Sequence, residues 1–160
     1  MTPKIIDIEE QKYVGIQIEM SLVNNKTGML WGSFMPRRNE IKKRVNPLEV
    51  VSLQGTDPAV LMTEFRPTQE FVKWALAEVS SFDGLPEGME KFVLPAGKYA
   101  VFTHKGTGQE GFVKTLMFIL NSWLPNSEFD IDNRPNFEVL GEKYKRTDPS
   151  SEEDIWIPIK

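Results

Sequence analysis

The chain has no cysteine and only one histidine among its 160 residues. Disulfides, thiolate catalysis and Cys-based metal sites are excluded, and a single imidazole makes a zinc site a poor expectation. The lack of cysteine fits a reducing compartment. Basic charge is also in short supply, with 19 Lys and Arg against 23 Asp and Glu and a net charge of −4. Binding to phosphate backbones needs clustered Lys and Arg. The nearest approach to a cluster, RRNEIKKR at 37–44, has the spacing of the solvated face of a helix end. No segment approaches the run of about 18 apolar residues that a membrane helix requires. The N-terminal MTPKIIDIEE carries acids where a signal peptide needs an apolar stretch. These absences lead to the expectation of one soluble, cytoplasmic domain over residues 1–160, with no metal, no cofactor and no membrane association.

Hydrophobic residues make up 40% of the chain, enough for an ordinary globular core. YVGIQIEM (13–20) alternates Val14, Ile16 and Ile18 and reads as a strand. MLWGSFMPRRNEIKKR (29–44) has near-helical apolar spacing, with Pro36 marking a kink or a break between two short turns. LEVVSLQ (48–54) and FVKWALAEVSSF (71–82) read as strands, the second with a possible helical first turn. PAGKYAVFTHKG (95–106) is a turn and a strand, and GFVKTLMFILNSWLPNSEF (111–129) is the strongest helix, stopped by Pro125. FEVLGEKY (137–144) and DIWIPIK (154–160) are strands; Pro158 places the last at an edge, or where no donor is needed. SSEEDI (150–155) reads as a solvated turn. His104, at a predicted strand end beside Lys105 and Gly106, is assigned to the surface. The glycines of GTG (106–108) lack the Lys-Ser/Thr of a phosphate loop.

Both halves therefore run β-α-β-β. Superposing Lys12-Tyr13 on Lys98-Tyr99 sets an offset of 98 − 12 = 86. That offset carries Leu30 to Leu116, Phe34 to Leu120 and VVSL (50–53) to NFEV (136–139). A pseudo-twofold duplication with repeats of about 1–84 and 85–160 follows. The expected fold is α+β: one antiparallel sheet, two main helices over a face, and a ligand cleft between the halves. One residue in this scheme is odd. In RPNFEVL (134–140) Phe137 and Val139 share a face, leaving Glu138 on the other beside Leu140. Alternation leaves two readings of Glu138, a carboxylate facing water or the one charge in an apolar pocket.

LWGSF in the first helix, LPEGMEKFVLPAGKYAVFTHKG (85–106), NSWLPNSEF (121–129), RPNFEVL and SSEEDIWIPIK (150–160) together resemble the GyrI-like small-molecule-binding domain, the effector module that follows AraC-type DNA-binding domains and also occurs alone. The resemblance covers nearly the whole chain and implies a tandem β-α-β-β fold. It also implies a cleft for small, often cationic or aromatic molecules, lined by aromatic side chains and one acid. The P-x-F-E motif falls on Pro135, Phe137 and Glu138, so Glu138 is the candidate acid, and the helix tryptophan falls on Trp31. Phe34, Tyr99, Phe102, Tyr144 and Trp156 are further ligand-binding candidates by the same carry-over. Trp123 is expected in the core and Trp74 is undecided.

The resemblance implies a binding protein that captures a hydrophobic, cationic small molecule in sensing, sequestration or resistance. With the chain length taken up by this module, direct DNA binding is not expected. An alternative is hydrolysis of strained electrophiles, with Glu138 as general base and Tyr144 or Tyr99 as acid. A third is a protein-interaction module such as a gyrase modulator.

Overall fold

The computed structural model describes residues 1–55, 58 and 66–160. Along the chain run β1 (Lys4–Ile8), β2 (Gln11–Met20), α1 (Thr27–Phe34), a 3-10 turn (Met35–Glu40), β3 (Val50–Gln54) and β4 (Phe71–Val79). The second half continues with β5 (Glu90–Leu94), β6 (Gly97–Lys105), α2 (Gln109–Phe118), a π turn (Ile119–Trp123), β7 (Phe137–Leu140) and β8 (Glu152–Ile159). The eight strands form one sheet in the order β1-β6-β8-β7-β3-β4-β2-β5, antiparallel throughout. Pro36 falls in the first turn of the 3-10 segment, where a missing N–H costs nothing, so it divides two short helical pieces as its position suggested.

Several boundaries differ from the expectation. The second long helix is regular only to Phe118; the Leu124 amide then bonds the Ile119 carbonyl at 2.9 Å, an i→i+5 closure that widens the last turn before Pro125. The strand after Asn136 ends at Leu140 rather than Tyr144. SSEEDI is not a solvated turn, because β8 already begins at Glu152 and pairs there with Lys105. β8 is an interior strand, so Pro158 is not at an edge. It lies beyond the end of β7, and its carbonyl accepts from the Asp132 amide at 3.0 Å. Its nitrogen points to that same side, away from β6, so the β6–β8 ladder loses no hydrogen bond. β1 and β5 are short, partly exposed strands that the hydrophobic pattern alone did not single out.

The order is a palindrome about the β3–β7 pair, and the registers show the duplication. Ser52 pairs with Glu138, and 138 − 52 = 86, so the pseudo-dyad passes between these two residues. The same offset relates β1 to β5, since Ile8 pairs with Gly97 and Gln11 with Leu94. For β4 and β8 the offset is 80: Val51 pairs with Leu76, Phe137 with Trp156, and 156 − 76 = 80. The first strand of each half is thus exchanged, β1 onto β6 and β5 onto β2.

This exchange rolls the sheet. β1 lies at one edge, yet only Glu9 and Glu10 separate it from β2, next to the other edge. Three Cα steps span at most about 11 Å, so the two edges approach each other. Inside the roll pack Tyr13, Leu53, Trp74, Leu76, Tyr99, Val101 and Phe137, with Trp156 and Phe92 against them. The outer face carries two clusters, Leu30 and Phe34 of α1 over Val14, Ala75 and Ala77, and Ile119 of the π turn over Phe102, Ile155 and Ile157. Gly15 permits the tight curl of β2, because a Cβ there would collide with the Ala75 carbonyl oxygen of β4.

Candidate ligand-binding site

On the outer face, between α1 and α2 and over the pseudo-dyad, lies a cavity of about 1480 Å³. Its floor is the middle of the sheet. Ser52 and Gln54 come from β3, Glu138 and Leu140 from β7, Lys73 from β4 and Glu153 from β8. Trp31 and Met35 form one wall, and Phe112, Leu116 and Met117 of α2 the other. Trp31 and Met117 are related by the repeat, 117 − 31 = 86, so the two walls are dyad mates with different side chains. Leu22, Leu48 and Tyr144 stand at the rim with large apolar areas open to solvent.

Alternation puts Glu138 and Leu140 on this floor and turns Phe137 and Val139 into the roll. Glu138 is only 7% exposed. Burial pushes its carboxyl up to about 8; the Lys73 ammonium opposes that rise and the Glu153 carboxylate adds to it. With its amide turned to match donors to acceptors, Gln54 donates to Glu138 Oε2 at 3.1 Å and to the Asn136 carbonyl at 3.1 Å. Lys73 and Glu153 are themselves dyad mates, 153 − 73 = 80. Burial lowers the Lys73 pKa and raises that of Glu153. The floor is therefore polarised, with Lys73 and Ser52 from one half facing Glu138 and Glu153 from the other.

Of the residues carried over from the resemblance, Glu138, Trp31 and Tyr144 line this cavity. Phe34 does not. It is fully buried beneath α1 and meets the Trp31 ring edge-on at 5.7 Å, supporting that ring from behind. Phe102 is on the outer face but is sealed beneath the π turn, against Trp123 at 5.1 Å. Tyr99 and Trp156 face into the roll, where both pack on Phe137, at 5.3 and 5.2 Å. The Tyr99 hydroxyl donates to the Pro135 carbonyl at 2.9 Å, and the Arg134 guanidinium lies 4.6 Å over its ring. Arg134 also donates to Asp132, to the Lys98 carbonyl and to the Ile159 carbonyl. Tyr99 and Arg134 thereby pin the segment that enters β7 and fix where Glu138 emerges.

Trp74 also points into the roll, against Phe92 at 5.3 Å. His104 is not at the surface: it is buried under α2, with Nδ1 2.8 Å from the Thr115 hydroxyl, and burial lowers its pKa. The run at 37–44 is not a uniformly solvated helix end either, since Arg38 and Arg44 line the cavity. Sequence reasoning passed over Lys73 and Glu153. The available signal was the one that marked Glu138, a lone charge among apolar neighbours on one strand face, here Lys73 with Ala75, Ala77 and Val79.

Among known proteins, the model of the integron-associated effector binding protein family matches residues 4–159. The transcriptional regulator BrlR of Pseudomonas aeruginosa is 30% identical over 160 residues, which is 99% of this chain and 56% of that regulator. The chain thus spans about half the length of this curated relative. The fold recurs in SAV2435, solved bound to tetraphenylphosphonium, with a TM-score of 0.69 at 14% identity, covering 100% of this chain and 94% of that one. It recurs also in an integron cassette protein of Vibrio cholerae, with a TM-score of 0.64 at 16% identity, covering 100% and 97%. Matched from one end of the sheet to the other, the chain belongs to the integron-associated effector-binding proteins of the GyrI-like group.

Proposed function

We propose that this protein captures a hydrophobic small molecule bearing a cationic centre, with the apolar body held between Trp31 and α2 and the charge above Glu138. The observation that carries this reading is a carboxyl group 7% exposed on the floor of a large cavity walled by Trp31, Met35, Phe112, Leu116 and Met117. Lys73 offsets the buried carboxylates only in part, since Glu138 remains raised and Glu153 adds a second acid, and a ligand cation supplies further counter-charge. The Trp31 face adds an attraction of about 0.5–2 kcal/mol for a desolvated cation. Met20, Met35 and Met117 line the same space and can repack around ligands of different outline. The tetraphenylphosphonium bound by the structural relative SAV2435 is a lipophilic cation of this kind. Such capture would serve sensing, sequestration or resistance.

The test is calorimetric titration with tetraphenylphosphonium and with neutral triphenylphosphine oxide. Glu138→Gln should weaken the cation and leave the neutral compound nearly unchanged. Equal losses for both would remove the charge role.

A second reading is hydrolysis of a strained electrophile. It is favoured by Glu138 and Tyr144 lining one cavity, where burial raises both pKa values: ionised Glu138 is then a stronger base toward water, and Tyr144 stays protonated as a donor to the opening oxygen. Tyr99 has no part in it, since it faces the other side of the sheet. Steady turnover of an aryl epoxide, lost in Glu138→Gln, would establish hydrolysis; saturable binding with the epoxide recovered intact would refute it.

A further inference from the structure

Among the described residues, seven charged side chains line the cavity, two acids against five bases. Glu138 and Glu153 are the acids; Arg38, Arg44, Arg66, Lys73 and Arg146 are the bases. Lys73 lies among the acids on the floor and acts on both. Arg66 and Arg146 are exposed and solvated. Arg38 and Arg44 are different: both are partly buried, and neither forms an ion pair among the described residues.

Their hydrogen bonds hold them in place without neutralising them. Arg38 Nη1 donates to the Met35 carbonyl at 2.6 Å and Arg44 Nη2 to the Glu49 carbonyl at 2.8 Å. Arg44 Nε is buried and has no hydrogen-bond partner among the described residues. The two guanidiniums are near enough to repel, and burial together with Arg38 lowers the Arg44 pKa. A buried N–H donor without an acceptor costs free energy, and so do two like charges without a counter-ion. One anionic group in the cavity offsets the two like charges, and the guanidinium fork is its matched donor.

We propose that Arg38 and Arg44 form an anion subsite in the cavity, so that its preferred ligand is an apolar zwitterion, carrying a carboxylate or similar oxyanion as well as the cationic centre. This rests on the capture reading above and narrows it to a ligand class. It also gives the basic run at 37–44 a role that its sequence did not suggest.

The test compares rhodamine 110, which carries a free carboxylate, with rhodamine 123, its methyl ester, by fluorescence anisotropy. Wild type should bind the free acid about tenfold more tightly, the fold-change equivalent to about 1.4 kcal/mol. Arg38→Gln should lower that ratio several-fold, and Arg38→Gln with Arg44→Gln should bring it to about one. Arg38 lies on the 3-10 turn and, among the described residues, its side chain donates only to its own turn's carbonyl, so the single variant remains informative if the double one fails to fold. Equal binding of the two dyes by wild type, or a ratio unchanged in Arg38→Gln, overturns the anion subsite and leaves the capture reading standing. Binding of neither dye overturns both.

Discussion

Binding of a lipophilic cation should be coupled to loss of a proton from Glu138. The carboxyl sits at about 8 in the empty cavity because burial disfavours its charged form. At pH 7 about nine molecules in ten therefore carry the proton. A cation above the floor favours the carboxylate, so binding lowers the pKa and releases about 0.9 proton per ligand at pH 7. The dissociation constant for tetraphenylphosphonium should fall by about tenfold from pH 6 to 7, by somewhat less from pH 7 to 8, and flatten above the pKa. Lys73 and Glu153 face the same floor and have shifted pKa values of their own, so the control is Glu138→Gln, which leaves both in place. Calorimetry at pH 7 in phosphate and in Tris, whose ionisation enthalpies differ, counts the protons directly. Wild type should show the release and a sloping pH profile, whereas Glu138→Gln should show little of either. Equal affinity at pH 6 and pH 8, or proton uptake on binding, would refute the reasoning.

The same carboxyl should burden the empty protein at high pH. Its folded-state pKa lies above the ordinary 4.5, so the folded state binds the extra proton and stability falls as pH rises from about 4.5 to about 8; the upper limit is about 5 kcal/mol. Urea unfolding should find Glu138→Gln more stable than wild type at pH 9 and close to it at pH 4.5; parity at pH 9 would contradict this. Tyr99→Phe should cost about 0.5–1.5 kcal/mol through loss of the bond to the Pro135 carbonyl, while changing tetraphenylphosphonium affinity far less than Glu138→Gln does. A loss as large as that of Glu138→Gln would return Tyr99 to the ligand. Gly15→Ala should destabilise by more than about 1 kcal/mol, because the new methyl meets backbone of β4 rather than a movable side chain; an unchanged urea midpoint would disprove the close approach. Quenching of tryptophan emission by an aromatic ligand should be much reduced in Trp31→Phe, and quenching equal to wild type would remove Trp31 from the wall.

The repeat was legible because it is written twice. Element order and the offset of 86 made Ser52 the counterpart of Glu138; that the two pair across the dyad is a register only the structure shows. Glu138 itself was legible as a lone charge between apolar residues. The aromatic carry-overs fared unevenly because alternation divides a strand into two faces without saying which face meets the helices. Tyr99 and Phe102, three residues apart on β6, point to opposite faces, and neither reaches the cavity. Trp156 could be placed only by its pairing with Phe137, a long-range register that local sequence does not contain. β1 and β5 escaped because five-residue strands at open edges bury too little to leave a strong pattern. Arg38 and Arg44 looked like solvated charges because nothing local shows that the chain folds back over them.

The exchange of β1 and β5 bears on how the cavity can adapt. The two crossings between halves act as stitches along the seam of a tube whose back is the β3–β7 pair. Spreading the halves about that back would have to tear β1 from β6 or β5 from β2. The floor under a ligand is therefore a stiff plate, and the backbone rather than the guest sets the points from which Lys73 and Glu138 rise. Differences in guest size must be absorbed above the plate, by rotamers of Trp31, Met35 and Met117 and by small shifts of α1 and α2. Such a receptor would be forgiving about shape and exacting about where charge is placed.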